Sequence, residues 1–412
     1  AKAVNDADVI LFNTCSVRRH AEGRVEGQLN QIKDIKTKRF GIVIGLVGCM
    51  AQNYKDGLLK QFPHLDFVAG PRNIYDIPDV IDKAMIMGKR DVAVDKEARP
   101  PSGDTGDYRE DSIKAFVSIG EGCNNYCSYC IVPHVRGREA SRQPKDIVAE
   151  VKKLINGGVK EITLLGQNVN SYGKETGTET NFVNLLQALD KTGIERIRFM
   201  TSHPKDATPE LFDAMKDLKS VCEHLHLPLQ SGSDKILQMM NRGYASGDYL
   251  RLVDELRSRI PDCAITTDLI VGFPTETDED FEQTANLMQQ IKFDKAFIFK
   301  YSPRPPAKSS ELKDDVPMAV KERRNLSLLE LQDEMAISKN RELIGKEVEV
   351  FAEYKAKKPP KGLEGGIGIA LVGRARTGSG VIFNGKESLI GKTVKVVVKD
   401  VSSYTLIGDL VQ

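Results

Sequence analysis

Cys123-Asn124-Asn125-Tyr126-Cys127-Ser128-Tyr129-Cys130 is the stretch from which this 412-residue chain becomes readable. Its three cysteines, spaced C-x3-C-x2-C, stand just after a short apolar run at 114–119. Five similar runs follow at 161–165, 196–200, 223–228, 264–271 and 294–301. Segments of helical period separate the runs, so the pattern predicts six βα units around a parallel sheet, an incomplete barrel. Thr208-Pro209 offers a helix cap followed by a first-turn proline, and Thr277-Asp278-Glu279-Asp280 resembles a capping box. Loops beyond the C-terminal strand ends form the working face of such folds, so three thiolates there can grip a metal cluster facing the barrel mouth. Three ligands on a four-iron cluster leave one iron open to chelate a small molecule and pass it an electron, a catalytic arrangement. A structural zinc knuckle is the competing reading. Zinc wants four closed ligands, and no fourth Cys or His follows at suitable spacing; His134 is near but reads equally well as a loop residue.

Upstream of the cysteine stretch, apolar runs at 8–12, 41–47 and 67–69 read as buried strands of a separate α/β unit. Cys15 and Cys49 each fall within a few residues of the C-terminal end of one of these strands. Ligands gather at that edge of a parallel sheet, so two thiolates distant in sequence can share a metal cluster there. Taken singly, either would read as a buried structural cysteine. Between the two patterns, 91–112 carries Pro100-Pro101-Ser102-Gly103 and a surplus of acids, and reads as a linker. Downstream, a long polar helix over about 318–343 gives way to short valine-rich runs punctuated by glycine, which predict a small all-β barrel. The expected fold class is therefore α/β, with a Rossmann-like parallel-sheet domain at 1–90, a partial (β/α)6 barrel at 113–344 and an all-β barrel at 345–412.

A formal charge of +1 announces no polyanionic partner for the whole chain, so any nucleic-acid surface must be local. No run approaches the length of a membrane span, and the N-terminus lacks signal-peptide order, so a cytoplasmic, non-membrane location is expected. Seven cysteines, an odd number, fit a reducing compartment. Cys222 and Cys263 lie inside apolar barrel segments and read as core.

The C-x3-C-x2-C spacing with its flanks Gly122-Cys123-Asn124 and Ile131-Val132-Pro133-His134-Val135-Arg136-Gly137 resembles the radical S-adenosylmethionine methylthiotransferase family. Asn13-Thr14-Cys15-Ser16-Val17-Arg18, Gly48-Cys49-Met50-Ala51-Gln52, Leu164-Leu165-Gly166-Gln167-Asn168-Val169-Asn170 and Phe299-Lys300-Tyr301-Ser302-Pro303-Arg304 are similar to the branch that modifies isopentenylated adenosine in tRNA. The resemblance spans essentially the whole chain. It implies a transferase that adds a methylthio group to carbon 2 of N6-isopentenyladenosine next to the anticodon. Branches acting on threonylcarbamoyladenosine or on a ribosomal-protein aspartate are rivals, and a non-catalytic iron–sulfur RNA-binding protein is a rival of another class. By resemblance, Cys123, Cys127 and Cys130 hold one 4Fe–4S cluster and Cys15 and Cys49 an auxiliary one. Cleavage of S-adenosylmethionine would yield a 5′-deoxyadenosyl radical, and a second molecule would supply the methyl group. An adenine C–H bond offers no acidic proton, so acid–base residues cannot start such a reaction. An electron donor such as flavodoxin or ferredoxin and a sulfur donor are expected partners beside tRNA.

Polar residues at the expected strand ends are the candidate S-adenosylmethionine contacts: Gln167, Asn168, Ser202, Gln230, Ser231 and Gly272. A cofactor with an ammonium, a carboxylate, ribose hydroxyls and adenine needs such a neutral hydrogen-bonding lining. Gly272 is equally readable as an ordinary turn residue, and His203 as structural or substrate-positioning. The tail 345–412 resembles the TRAM-type RNA-binding barrel, and its eleven Lys and Arg against seven Asp and Glu favour a polyanion. Lys355, Lys357, Lys358 and Lys361 group in one loop, and Arg374 and Arg376 in another; a merely solvated lysine loop is the alternative. One departure stands out. The family's N-terminal cluster takes three cysteines, the first upstream of the Asn-Thr-Cys motif, whereas this sequence offers Cys15 and Cys49. A first strand and helix carrying that ligand are therefore expected ahead of Ala1.

Overall fold

The computed structural model describes residues 4–16, 19–39, 41–94, 112–177, 180–358 and 368–411. They form two compact units. The first holds the described residues up to 94 together with 120–140 and 302–312; the second holds those of 112–119, 141–301 and 313–411.

In the first unit, among the described residues, four parallel strands lie in the order β1 (Val9–Thr14), β2 (Val43–Gly48), β3 (Phe67–Ala69) and β4 (Asp91–Ala93). Helices α1 (Arg19–Lys38), α2 (Cys49–Tyr54), α3 (Asp56–Gln61) and α4 (Ile77–Met87) connect and cover them, and α5 (Val132–Val135) joins from the later segment. β2 is an unbroken apolar run because both of its faces are covered, by Leu29, Met50 and Leu58 on one side and by Phe67 and Val80 on the other. Two sequence boundaries need correction. The expected linker begins inside the sheet, since Asp91–Ala93 pairs with β3; three half-buried residues opened by an acid carry no strand signal. The rest of that linker, from 95 to 111, lies outside the described residues. The expected domain at 113–344 is also not continuous, because 120–140 and 302–312 group with the N-terminal sheet. Buried contacts hold them there: Arg304 pairs with Glu22 of α1 at 2.9 Å, and the Ser309 amide donates to the Ser128 carbonyl at 2.7 Å.

In the second unit, the six apolar runs fold as expected into parallel strands β5 (Lys114–Ser118), β6 (Glu161–Leu165), β7 (Arg196–Phe199), β8 (His224–His226), β9 (Ala264–Val271) and β10 (Lys295–Lys300). They pair as β5-β6-β7 and β8-β9-β10, and a parallel bridge between Ile197 and Val221 joins the two sheets. Alternate residues explain the packing. Val117, Ile162, Leu164, Ile197, Phe199, Ile265 and Leu269 turn toward helices α6 (Pro144–Asn156), α7 (Phe182–Asp190), α8 (Pro209–Asp217), α10 (Ser246–Arg259) and α11 (Asp278–Ile291), with the short α9 (Asp234–Met239) preceding α10. Each fully buried Leu or Ile contributes roughly 1.5–3 kcal/mol. Thr208 caps α8 by accepting from the Leu211 amide, and Thr277 and Asp280 form the expected box, the Asp280 carboxylate reaching back to the Thr277 amide at 2.9 Å.

After α12 (Met318–Arg341) the tail closes into a five-stranded barrel of β11 (Glu347–Lys355), β12 (Ile369–Ala375), β13 (Gly380–Gly385), β14 (Thr393–Val401) and β15 (Thr405–Leu410), in the order β11-β12-β13-β15-β14. Val350, Leu371, Val381, Phe383, Val396 and Leu406 fill it. Arginines of β7 anchor this barrel. Arg196, 2% exposed, meets Glu349 at 2.8 Å and the Arg374 carbonyl at 2.9 Å, and Arg198 donates to the carbonyls of Ala375 and Arg376.

Candidate functional site

The first unit gathers the sequence-predicted thiols. The β1–β2 register pairs Thr14 with Gly48, so Cys15 and Cys49 follow at one level beyond the sheet edge, Cys15 exposed and Cys49 buried. Thr14 fixes that edge by donating its hydroxyl to the Val47 carbonyl at 2.7 Å while accepting from the Met50 amide. Gly48 is obligatory here. Its φ is +98°, and a Cβ would stand 2.5 Å from the Thr14 carbonyl oxygen. Cys49 packs against Ile131 and Val135, placing α5 beside it.

Cys123 and Cys127 are buried and Cys130 partly so, in a loop held by the Cys123 amide on the Gly137 carbonyl at 3.1 Å and the Cys130 amide on the Cys127 carbonyl at 3.0 Å. Burial pushes the Cys123 thiol above its ordinary value, so a bound metal would have to drive its deprotonation. Among the described residues, no three His, Cys, Asp or Glu side chains are placed as a single-ion site. The donor set suits a cluster instead, in which each thiolate binds a different iron.

Sequence reasoning missed Arg136. Its guanidinium hydrogen-bonds Cys49, lies near Cys15 and meets Glu121 at 3.1 Å. Burial works against its charge, and Cys49, Glu121 and Cys15 more than offset this, holding the group above its ordinary value. The backbone is held as well, since Arg72 donates to the Arg136 carbonyl. A cation fixed among sulfurs is the kind of neighbour that tunes a thiolate site. The only available signal was its place within the motif around Pro133.

In the second unit, the residues expected at the cofactor site separate into two kinds. Gln167 is half-buried just past β6. Asn168 is buried and donates to Asp206 at 2.7 Å, while its carbonyl oxygen has no partner among the described residues; the Ser202 hydroxyl is likewise buried and without one. Both have spare capacity for a polar ligand. Gln230, at φ +74°, lies along β9, its amide donating to the Asp268 carbonyl at 2.8 Å. Ser231, by contrast, is fully buried against Thr284 of α11. Gly272, at φ +71°, donates its amide to Glu276 at 2.6 Å, and a Cβ there would strike the Lys321 side chain. Packing alone explains the choice of residue at both positions. The Asn170 side chain ties the β6 and β7 loops together, its amide donating to the His203 carbonyl at 3.0 Å and its oxygen accepting from the His203 backbone amide at 2.9 Å. Burial, then Arg242, Lys205 and Lys174, push the His203 pKa down to about 2, so the ring is neutral. Cys222 and Cys263 lie in the core, and burial pushes the Cys263 thiol up to about 12.

On the tail barrel, Lys355, Lys357 and Lys358 are exposed, and Lys361 lies outside the described residues. The two arginines are placed differently from the expectation of an open RNA surface. Arg376 forms a two-pronged pair with Glu223 at 2.7 and 2.8 Å, and Arg374 pairs with Glu353 at 3.3 Å.

Comparison with known proteins accords with this arrangement. Residues 117–288 match the model of the radical SAM superfamily, 1–70 that of uncharacterized protein family UPF0004, and 338–411 that of the TRAM domain. The chain is 47% identical over 99% of its length to a tRNA-2-methylthio-N(6)-dimethylallyladenosine synthase of Thermoanaerobacter sp. (strain X514), covering 86% of that protein. Proteins of the same name from Caldicellulosiruptor saccharolyticus and Clostridium novyi are each 45% identical over 99% of this chain, which covers 85% and 89% of them. Among solved structures, the radical S-adenosylmethionine methyltransferase TsrM from Kitasatospora setae is similar in fold, with a TM-score of 0.57 at 14% identity over 73% of this chain and 65% of that one.

Proposed function

The chain belongs to the tRNA-2-methylthio-N(6)-dimethylallyladenosine synthase family of radical SAM transferases, and we propose that it replaces the hydrogen on carbon 2 of a dimethylallylated adenosine, next to the anticodon of tRNA, with a methylthio group. The observation that carries this reading is the 47% identity running through 99% of the chain, with the C-x3-C-x2-C loop inside the radical SAM segment. A 4Fe–4S cluster and S-adenosylmethionine follow from the family.

Cys123, Cys127 and Cys130 would hold that cluster, and the chemistry it supplies with S-adenosylmethionine is one-electron cleavage to a radical able to take an unactivated hydrogen. The second unit's polar residues fit a reaction that needs no general base. Asn168 and Ser202 offer uncharged groups to a polar ligand, and His203 stays neutral at any working pH. All three are buried, which serves the exclusion of water that radical chemistry requires. Cys15 and Cys49 would hold an auxiliary 4Fe–4S cluster, with Arg136 supplying positive charge to its thiolates. The exposed Lys355, Lys357 and Lys358 and the partly exposed Arg374 would meet tRNA phosphates, while Arg376, held on Glu223, would seat the tail barrel. A flavodoxin- or ferredoxin-type reductant, a sulfur donor and a cytoplasmic location complete the reading; among the described residues, no helix is long and apolar enough to cross a membrane.

The test is nucleoside mass spectrometry after anaerobic reconstitution with iron and sulfide and incubation with reductant, S-adenosylmethionine and dimethylallylated tRNA. Gain of one methylthio group in place of one hydrogen is expected. Production of 5′-deoxyadenosine without any change in the nucleoside would overturn the reading.

A further inference from the structure

The first residues of four parallel strands, Lys114 of β5, Glu161 of β6, His224 of β8 and Lys295 of β10, line a cavity of about 1360 Å3 that the tail barrel borders through Arg374 and Tyr404. It runs inward as far as Met200, just past β7, and is lined by neither Asn168 nor Ser202. A pocket for one small molecule takes roughly 300–1,000 Å3, so this space has room for more. Phe116 stands in it. Ala115 and Val117 pack into the core beneath the helices, so the ring between them points the opposite way and is 74% exposed.

Several charged groups of the cavity are paired one to one. Arg198 meets Glu161 at 3.0 Å, Lys339 meets Asp294 at 2.7 Å, and Glu150 is held by Arg142 at 2.7 Å; Asp146 and Lys153, both on α6, add one charge of each sign. Two cations are matched less fully. Arg374, 3.3 Å from the buried Glu353 carboxylate, shares it with Lys114 at 2.9 Å. Lys295 meets no carboxylate among the described residues; its ammonium lies 4.8 Å from the Phe297 centroid and 5.1 Å from that of Tyr404, whose hydroxyl donates to Asp333 at 2.6 Å. An open aromatic face beside incompletely matched cations is the combination that holds a nucleotide, the ring stacking on the base and the cations meeting its phosphates. A purely apolar ligand would strand the Lys295 charge, and a bare phosphate would leave the Phe116 ring in water.

We propose that this cavity holds an extruded nucleotide of the bound tRNA other than the one that is modified, its base stacked on Phe116 and its phosphates met by Lys295 and Arg374. This rests on the methylthiotransferase reading above and adds a second, non-reacting grip on the RNA. Arg374, which that reading gives to tRNA phosphates, makes the cavity continuous with the RNA face of the tail barrel. The reacting nucleoside belongs beside the cofactor instead, and the residues with spare capacity for that ligand, Asn168 and Ser202, do not line this space. An unpaired nucleotide suits the site, because its unstacked base can offer a face to the ring. Such a contact is the same in ground and transition states, so it acts chiefly through affinity.

The experiment measures binding of the full chain to a fluorescently labelled tRNA substrate, by anisotropy over a range of salt, and repeats it with the tRNA made abasic at one unpaired position at a time. Phe116→Ala should weaken binding about fivefold or more at every salt concentration, and Phe116→Tyr should restore it. Lys295→Gln should weaken binding and lower the slope of log K against log salt by about one. Phe116 is too exposed for its removal to disturb the core, so thermal unfolding of Phe116→Ala should match that of the unsubstituted chain. Removing the base at one position other than the target should make Phe116→Ala silent, the loss of ring and base together equalling the loss of either. Full affinity in Phe116→Ala overturns the proposal, and so does coupling of Phe116 to the target adenosine alone or to no base. Phe116-dependent binding of adenosine monophosphate with tRNA affinity unchanged assigns the cavity to a free nucleotide and overturns it as well. All of these are binding outcomes; absence of methylthiolation by the unsubstituted chain is the separate failure of the functional reading.

Discussion

Cys127 is 9% exposed, on a loop whose backbone hydrogen bonds set the spacing of its two companion thiols. Removing its sulfur leaves two ligands where three are needed for an open-iron cluster, so Cys127→Ala should abolish 5′-deoxyadenosine formation, read by chromatography after anaerobic reconstitution. Undiminished formation would remove the cluster from this loop. Cys49→Ala should instead lower the iron content by about four per chain and leave that cleavage in place, since only the proposed auxiliary cluster loses a ligand. His203 lends itself to a different measurement. Folded, its pKa is about 2; unfolded, it titrates near 6.5. Between those values the unfolded chain binds a proton that the folded chain refuses. The contribution is therefore full above pH 6.5 and is lost as pH falls, by up to about 1.4 kcal/mol per pH unit. Denaturant unfolding of His203→Gln from pH 7 to pH 5 should show a shallower loss of stability than the unsubstituted chain; an equal slope would place the titration elsewhere.

At the scale of elements, the β1–β2 edge makes Cys15 and Cys49 neighbours, and Gly48 is its critical position. A side chain there meets the Thr14 carbonyl and must also adopt φ +98°. Gly48→Ala should cost about 1–3 kcal/mol and lower iron retention at the Cys15–Cys49 edge, with S-adenosylmethionine cleavage reduced far less. Thermal unfolding and iron analysis on the same preparation decide it, and unchanged iron would show that the edge tolerates the strain. The elements themselves differ in how plainly the sequence announces them. The six barrel runs and the capping box at Thr277 were legible because regularly spaced apolar runs and a fixed cap chemistry leave strong local patterns. β4 was not, because a three-residue strand opened by Asp91 owes its existence to pairing with β3 rather than to its own composition.

For the whole molecule, the arginines of β7 make the tail barrel part of the second unit rather than an appendage. Deleting the chain from Gly345 onward would leave Arg196 and Arg198 without Glu349 and the Ala375 and Arg376 carbonyls, and stranding a buried cation costs on the order of 3–5 kcal/mol. The deletion is therefore expected to destabilise the second unit as well as weaken RNA binding. Lys355, Lys357 and Lys358 isolate the RNA term better, since they are exposed. Replacing all three with Ala should weaken tRNA binding and reduce the slope of log K against log salt by about two to three, with thermal stability unchanged. An unaltered slope would make the loop a solvated one.

Local sequence alone determined the order of elements, the thiol spacing of the Cys123–Cys130 loop and the strand-end placement of Cys15 and Cys49, because spacing, periodicity and cap chemistry are properties of neighbouring residues. It also pointed to Arg374 and Arg376 as RNA contacts, and there it had no means of seeing Glu353 or Glu223. Tertiary structure decided those partnerships, the grouping of 120–140 and 302–312 with the N-terminal sheet and the place of Arg136 beside Cys49. Each depends on residues tens to hundreds of positions apart, and whether a charge or a ring is engaged or free is settled only when the chain has brought its partner to within a few ångströms.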